Sequence, residues 1–192
     1  MIDFLYSIDV ALFFFINHSL ANPVFDIVMP FVTDLNRIRA GQILYVSAWL
    51  LLMIKGGRNG RVAGVMLIVG IVVSDQLSSS VLKPLVGRIR PCHVLPNVRL
   101  LVECGGGLSF PSSHAVNNFC AAAILSSFFA SRRWVFFSIA SLVAFTRPYV
   151  GVHYPSDIAG GAVIGAACGY LLAFLWIEID RRWIAREGIV AE

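Results

Sequence analysis

The chain alternates long apolar runs with short polar joints, and the runs have membrane length. Val62 to Leu82 holds one charged residue, Asp75, while Ala115 to Ser131 and Ile158 to Ile177 hold none. A hydrocarbon core of about 30 Å takes roughly 20 helical residues to cross. Two shorter runs, Gly41 to Ile54 and Trp134 to Thr146, reach that length with their flanks. Unpaired backbone groups are costly in lipid, so the runs are expected to be helical. They lack the period-two alternation of a transmembrane barrel. Spans are predicted at about 40–55, 61–82, 115–131, 134–150 and 158–178.

The N-terminal pattern is more broken. Phe4 to Leu20 is apolar but carries Asp9 and His18, Asn22-Pro23 interrupts it, and Val24 to Thr33 resumes it with Pro30 inside. Two arrangements fit: a first span followed by a short interfacial helix, or two helices lying at the outer surface. The first is preferred and gives about six transmembrane helices, an all-α polytopic bundle. A single membrane-embedded domain is expected over 1–192, with N-terminal helices at 1–36, a catalytic bundle at 37–180 and a cytoplasmic tail at 181–192. No cleavable leader is expected.

Composition supports a membrane protein. Of 192 residues, 58% are hydrophobic and 14% charged, which excludes an ordinary soluble domain. The net charge of +4 is explained by orientation in a bilayer, and no nucleic-acid partner is expected. Lys55, Arg58 and Arg61, then Arg132 and Arg133, then Arg181, Arg182 and Arg186 all fall on one side of the predicted spans, and the positive-inside rule makes that side cytoplasmic. The loops 83–114 and 147–157 then face outward. They nonetheless carry Lys83, Arg88, Arg90, Arg99 and Arg147, against the rule, which gives those cations another task. Cys120 and Cys168 lie in apolar runs as packing residues. Cys92 and Cys104 share one loop and either stay free or, in an oxidising compartment, form a disulfide.

The outward loops concentrate chemistry. One reads Lys83-Pro-Leu-Val-Gly-Arg-Ile-Arg90-Pro91, the next Phe110-Pro-Ser-Ser-His114, and the last Thr146-Arg147-Pro-Tyr-Val-Gly-Val-His153-Tyr-Pro-Ser-Asp157. Cations, two histidines, a carboxylate and two serines suit a phosphoryl group, which needs charge neutralisation, an in-line nucleophile and an acid for the leaving oxygen. His153 and Asp157 are four apart and would share a face if helical, so the carboxylate can fix the imidazole tautomer. Pro111-Ser112-Ser113 resembles a helix start, which places His114 at an anion-binding terminus.

These three spaced motifs resemble the type-2 phosphatidic-acid phosphatase superfamily, over about residues 40 to 178. The resemblance implies a metal-independent and cofactor-free lipid phosphatase. In it, His153 attacks phosphorus, Asp157 orients it and His114 protonates the leaving oxygen. Lys83, Arg90, Arg147, Ser112 and the Ser113 N–H bind the phosphate. The partner implied is a membrane lipid phosphate, and the site faces the periplasm or exterior of the inner (plasma) membrane. Two positions depart from the family: Ser113 where glycine is usual, and Thr146 where serine is usual. Neither removes a charge or a nucleophile. Undecaprenyl diphosphate, phosphatidylglycerol phosphate, phosphatidic acid and lipid A phosphates are all open as substrates, with a slight lean to undecaprenyl diphosphate. A soluble vanadate-dependent haloperoxidase shares the motifs but not the apolar spans. A lipid transporter or scramblase would use the cations but leave His114 and the His153–Asp157 spacing unexplained.

Other residues carry lesser expectations. Asp75, Ser79 and Lys83 are four apart and are expected on one helix face, with Asp75 supporting a polar network beneath Lys83. Arg88 is expected either on phosphate or in solvent. His18 and His93 are read as loop or interfacial residues, and Gly105-Gly106-Gly107 as a flexible segment beside the second motif.

Overall fold

A computed structural model describes residues 2–186; part of the tail expected at 181–192 therefore lies outside the described residues. The elements are helical: α1 (Ile2–Phe14), α2 (Pro23–Thr33), α3 (Arg39–Lys55), α4 (Gly57–Gln76), the one-turn α5 (Lys83–Val86) and α6 (Pro91–Val94), α7 (Ser113–Phe128), α8 (Arg133–Tyr149) and α9 (Pro155–Arg186). The long helices alternate in direction, so the loops after α5 and α8 come together at one end of the bundle.

The predicted spans are present at nearly the expected places. Gly57–Val86 and Pro155–Trp183 are long and apolar enough to cross a membrane alone. The chain is thus a polytopic, all-α integral membrane protein. Inside the first of these spans, α4 passes into a π-helical stretch, Leu77–Leu82, before α5. Gly87 then closes the helix with φ of 66°, a left-handed turn that glycine adopts without strain.

The central helix is α7, which packs against α4, α8 and α9. At 16 residues it is about 24 Å long. Ala115, Val116, Cys120, Ala123 and Ile124 are fully enclosed. Its closest neighbour is α9, through glycines at a four-residue interval. A Cβ on Gly165 or Gly169 would strike the backbone carbonyls of Val116 and Cys120, and one on Gly161 would crowd Ala115 and Ser112. Small residues let two membrane helices touch backbone to backbone. This contact brings the first turns of α7 and α9 together, and the Ser112 N–H donates to the Asp157 carbonyl at 3.1 Å.

The N-terminal helices form a bent pair, Asp3–Ser19 and Pro23–Thr33, turning by 115°. Asn22 caps α2 by accepting from the Phe25 N–H at 2.9 Å, and Pro23 at its first position sets the start. The polar contacts of both helices gather at the loop end of the bundle. Asp9 reaches Arg88 and Ser156, Asn17 reaches Arg99 and Tyr149, and Thr33 reaches Arg147 and His114. The pair therefore has the geometry of a broken span or a re-entrant element, with its polar residues turned to that end. The reason is polar: the buried Asp9 and Asn17 find their partners in the loop residues Arg88 and Arg99 and in Ser156 and Tyr149 at the adjoining helix ends.

Candidate active site

His153 lies in the loop between α8 and α9, 1% exposed, with Asp157 fully buried beneath it. The two pair as expected, Nδ1 to Oδ2 at 3.3 Å, but a shared helix face is not the cause. Pro155 fixes the start of α9, so His153 precedes the helix and Asp157 sits in its first turn. The Asp157 carboxylate reaches back to accept from the Tyr154 N–H at 2.8 Å, the reciprocal half of a capping box. It also accepts from Ser109 Oγ and, at 2.8 Å, from Arg88.

This network sets the imidazole tautomer. Arg90 can only donate, and its Nη1 stands 3.1 Å from His153 Nε2, so that nitrogen carries the lone pair. The proton resides on Nδ1 and points to Asp157. Burial pushes the His153 pKa down to about 3, outweighing the Asp157 hydrogen bond, so the ring is neutral at pH 7 with an available Nε2. Neutrality is what a nucleophilic imidazole requires.

Arg88 does neither thing expected of it. Its guanidinium bridges Asp157 at 2.8 Å and Asp9 at 2.6 Å, bonds Ser156 at 2.6 Å, and lies 3.9 Å from the centre of the Tyr154 ring. Burial opposes its charge, but Asp157 and Asp9 outweigh that and hold it more firmly protonated than an ordinary arginine. Asp9, Ser109 and Tyr154 were missed from sequence. The only signal for Asp9 was a charge inside an apolar run.

The second histidine sits at the start of α7. Ser112 is its N-cap, with φ of −72°, and Ser113 is the first helical residue. Ser113 is not among the positive-φ residues, so glycine's usual place is filled without strain. His114 Nε2 donates to the Thr33 carbonyl at 3.3 Å, and Arg147 donates to the Thr33 hydroxyl at 2.6 Å. Thr33, at the end of α2, thus holds two of the motif residues at once. Lys83 donates to the carbonyls of Leu108 and Pro111 at 3.0 and 2.8 Å and ties the first motif to the second. Thr146 turns its hydroxyl onto the Val143 carbonyl of its own helix.

Of Asp75, Ser79 and Lys83, expected on one face, Asp75 and Lys83 are half-buried and Asp75 lies near enough to favour the Lys83 charge. Ser79 is exposed, and the buried Ser78 contacts Ser113 at 3.1 Å in its stead. Asp75 accepts from Asn117 at 3.1 Å, and Lys83 turns to the loop carbonyls.

Among the described residues, the buried side-chain polar atoms without a hydrogen-bond partner are Arg90 Nε, Arg147 Nε, Ser112 Oγ and Ser126 Oγ. The first three belong to the set expected to bind phosphate. Buried polar groups are usually paired, so these three open groups, two of them on cations, are available to an anionic ligand.

Around this centre the loops are braced. Arg99 grips Asp26 through both carboxylate oxygens at 2.8 and 2.7 Å, and Tyr149 donates to the same carboxylate at 2.6 Å. Cys92 and Cys104 are joined as a disulfide, 12 residues apart, the oxidised one of the two states open from sequence. His18 and His93 contact the carbonyls of Asn97 and Gly105, as befits loop residues. Gly105 and Gly107 adopt φ of 67° and 102°, turning the chain beside the second motif. On the other side of His114, a cavity of about 760 Å³ opens between α3, α4, α7 and α8, walled by residues such as Val46, Leu52, Ile68, Leu125 and Val143.

Residues 62–181 match the model of the PAP2 superfamily. The chain is 35% identical over 195 aligned residues to a lipid A 4'-phosphatase of Bacteroides thetaiotaomicron, covering 95% of this chain and 83% of that protein. It is 28% identical to the undecaprenyl-diphosphatase BcrC of Bacillus subtilis, covering 78% and 74%. Among solved structures it is similar to Aquifex aeolicus LpxE, with a TM-score of 0.67, 28% identity, and coverage of 85% of this chain and 93% of that one. The chain belongs to the PAP2 superfamily.

Proposed function

We propose that this PAP2 superfamily member is a lipid phosphatase that works through a phosphohistidine, at the outer face of the inner (plasma) membrane. The observation that carries the reading is the set of unpartnered polar atoms, Arg90 Nε, Arg147 Nε and Ser112 Oγ, beside a neutral His153 whose Nε2 carries the lone pair and faces Arg90, the cation that would draw phosphate to it. Lysine and arginine neutralise the equatorial phosphate oxygens, and the free N–H groups at the start of α7 add to them. Ser113 belongs to that start.

In the first half-reaction Nε2 forms a bond to phosphorus as the bond to the lipid oxygen breaks. Asp157 supports the positive charge that the imidazole gains. Burial and the Arg147 charge leave His114 neutral in the free protein, so it takes up a proton together with the phosphate anion, whose charge offsets Arg147, and gives that proton to the departing oxygen. In the second, His114 takes a proton from water, the water oxygen bonds to phosphorus, and the N–P bond breaks to release inorganic phosphate and regenerate His153. No step calls for a metal. The cavity beside His114 fits the size range of small-molecule sites and gives the lipid an apolar place beside the bundle while its phosphate reaches His153. The similarity to a lipid A 4'-phosphatase and to an undecaprenyl-diphosphatase supports a phosphoric ester or diphosphate of a membrane lipid as substrate.

Phosphate release by purified protein in detergent is the test. Turnover is expected to persist in a metal chelator, to be inhibited by vanadate, and to vanish in His153→Ala. Lipid movement without hydrolysis would favour a transporter or scramblase. Full turnover in both His153→Ala and His114→Ala would overturn the mechanism.

A further inference from the structure

The mechanism leaves one group of polar residues unused. Asn36, Asp75, Asn117 and Asn118 line the cavity along with His114 and the apolar walls, Asp75 tied to Asn117 and Asn118 to the His114 carbonyl. Polar side chains are expensive inside a membrane bundle, and here they lie where the group leaving phosphorus must rest, because His114 is the acid that protonates its oxygen.

Their hydrogen bonds are only partly used up. Asn117 accepts from Ser74 at 2.8 Å and donates to Asp75 Oδ1 at 3.1 Å, so it is occupied on both sides. Asn118 donates to the His114 carbonyl at 2.9 Å, one turn back. Among the described residues, Asp75 Oδ2 and Asn118 Oδ1 have no hydrogen-bond partner. Both are acceptors on residues that line the cavity. A carboxylate and an amide oxygen there call for a ligand that presents O–H or N–H donors.

Resting on the phosphatase reading above, we infer that this collar selects a lipid whose phosphate ester is carried by a hydroxyl-bearing headgroup, a sugar or a glycerol, and disfavours a prenyl diphosphate. The two leaving groups differ in what they bring to the collar. A sugar or glycerol alkoxide becomes a neutral alcohol once His114 protonates it, and its neighbouring hydroxyls can donate to Asp75 and Asn118. A prenyl diphosphate leaves as a phosphate monoester, an anion without such hydroxyls. It would place its charge against the Asp75 carboxylate and leave both acceptors without a donor, and polar groups of a site left unpaired by a ligand discriminate against it.

The test compares phosphate release from three short-chain probes: a phosphorylated glucosamine lipid, a phosphatidylglycerol phosphate and farnesyl diphosphate. Wild type, Asp75→Asn, Asn118→Leu and His153→Ala are each assayed. Wild type is expected to show kcat/KM at least tenfold higher on one or both hydroxyl-bearing probes than on farnesyl diphosphate, and their relative rates identify sugar or glycerol. Asp75→Asn is expected to narrow that ratio by about tenfold, with turnover of farnesyl diphosphate rising. Asn118→Leu should lower only the hydroxyl-bearing probes. Because the readout is a ratio of substrates within one variant, loss of folded protein cannot imitate it. A wild-type preference for farnesyl diphosphate, or variants that slow all three probes equally, would overturn the collar while leaving the phosphatase reading intact. Absence of turnover on every probe, or full turnover by His153→Ala, would instead overturn the phosphatase reading.

Discussion

Two carboxylates flank the candidate site, and they are built in opposite ways. Asp157 accepts from His153, Ser109, Arg88 and the Tyr154 N–H, and is sealed from solvent. Asp75 accepts from Asn117 and faces a cavity. A saturated carboxylate is a fixed charge that holds one imidazole in one tautomer. An unsaturated one remains available to whatever enters. On the proposed mechanism, the nucleophile side of the site would be specified by protein, and the leaving-group side completed by substrate.

The strongest way to break this contrast is to remove the nucleophile. His153→Ala should lower kcat by about 10⁴-fold or more, and no acid-labile phosphoenzyme should be trapped by rapid quench with labelled substrate. Asp157→Asn preserves shape but can favour the wrong tautomer, and should cost roughly 10³- to 10⁴-fold in kcat with KM little changed. Arg88→Gln or Asp9→Asn should cost about tenfold in kcat through looser positioning of Asp157, with Arg88→Lys restoring only part of it because a lysine cannot bridge two carboxylates as a planar fork does. Measured kcat and KM on one soluble probe decide each case; equal losses in KM alone would place Arg88 on the substrate and not behind Asp157.

The smallest expected effect concerns pH. With its pKa near 3, His153 in the free enzyme stays neutral between pH 5 and 8, so its protonation should set no acid limb of kcat/KM in that range. The same depression makes the folded state bind fewer protons than the unfolded one, so this group removes stability as pH falls from about 6.5 toward 3 and none above it. A kcat/KM profile with an acid limb that disappears in Asp157→Asn would contradict this and return the limb to His153.

Much of this was legible in the chain. Apolar runs with at most one charge located α3, α4, α7, α8 and α9 because length in lipid leaves little choice of structure. The motif cations and histidines were found by residue type and spacing, and the structure brings them to one end of the bundle. What sequence did not reveal depended on long-range partners. Arg88 could be placed only once Asp9, 79 positions away, was seen beside it. Thr33 carries no signal of its own, yet it supports both Arg147 and His114. The glycines at 161, 165 and 169 were visible as a four-residue stripe, and would have identified the α7–α9 contact had that spacing been weighed.

The π-helical stretch at Leu77–Leu82 has a consequence for how this chain tolerates change in length. A widened turn of this kind holds one residue more than an α-helix of equal rise, so it acts as a phase adjuster between the membrane-buried part of α4 and the lysine at its end. Deleting a single residue there would let the helix relax to ordinary winding without shortening the span appreciably. It would leave Lys83 close to its present place around the axis, whereas the same deletion in the regular turns of α4 would swing Lys83 by about 100°, away from the Leu108 and Pro111 carbonyls that join the first motif to the second. The widened turn is thus the one place in this span where a residue can be lost with the phase of its outer end kept.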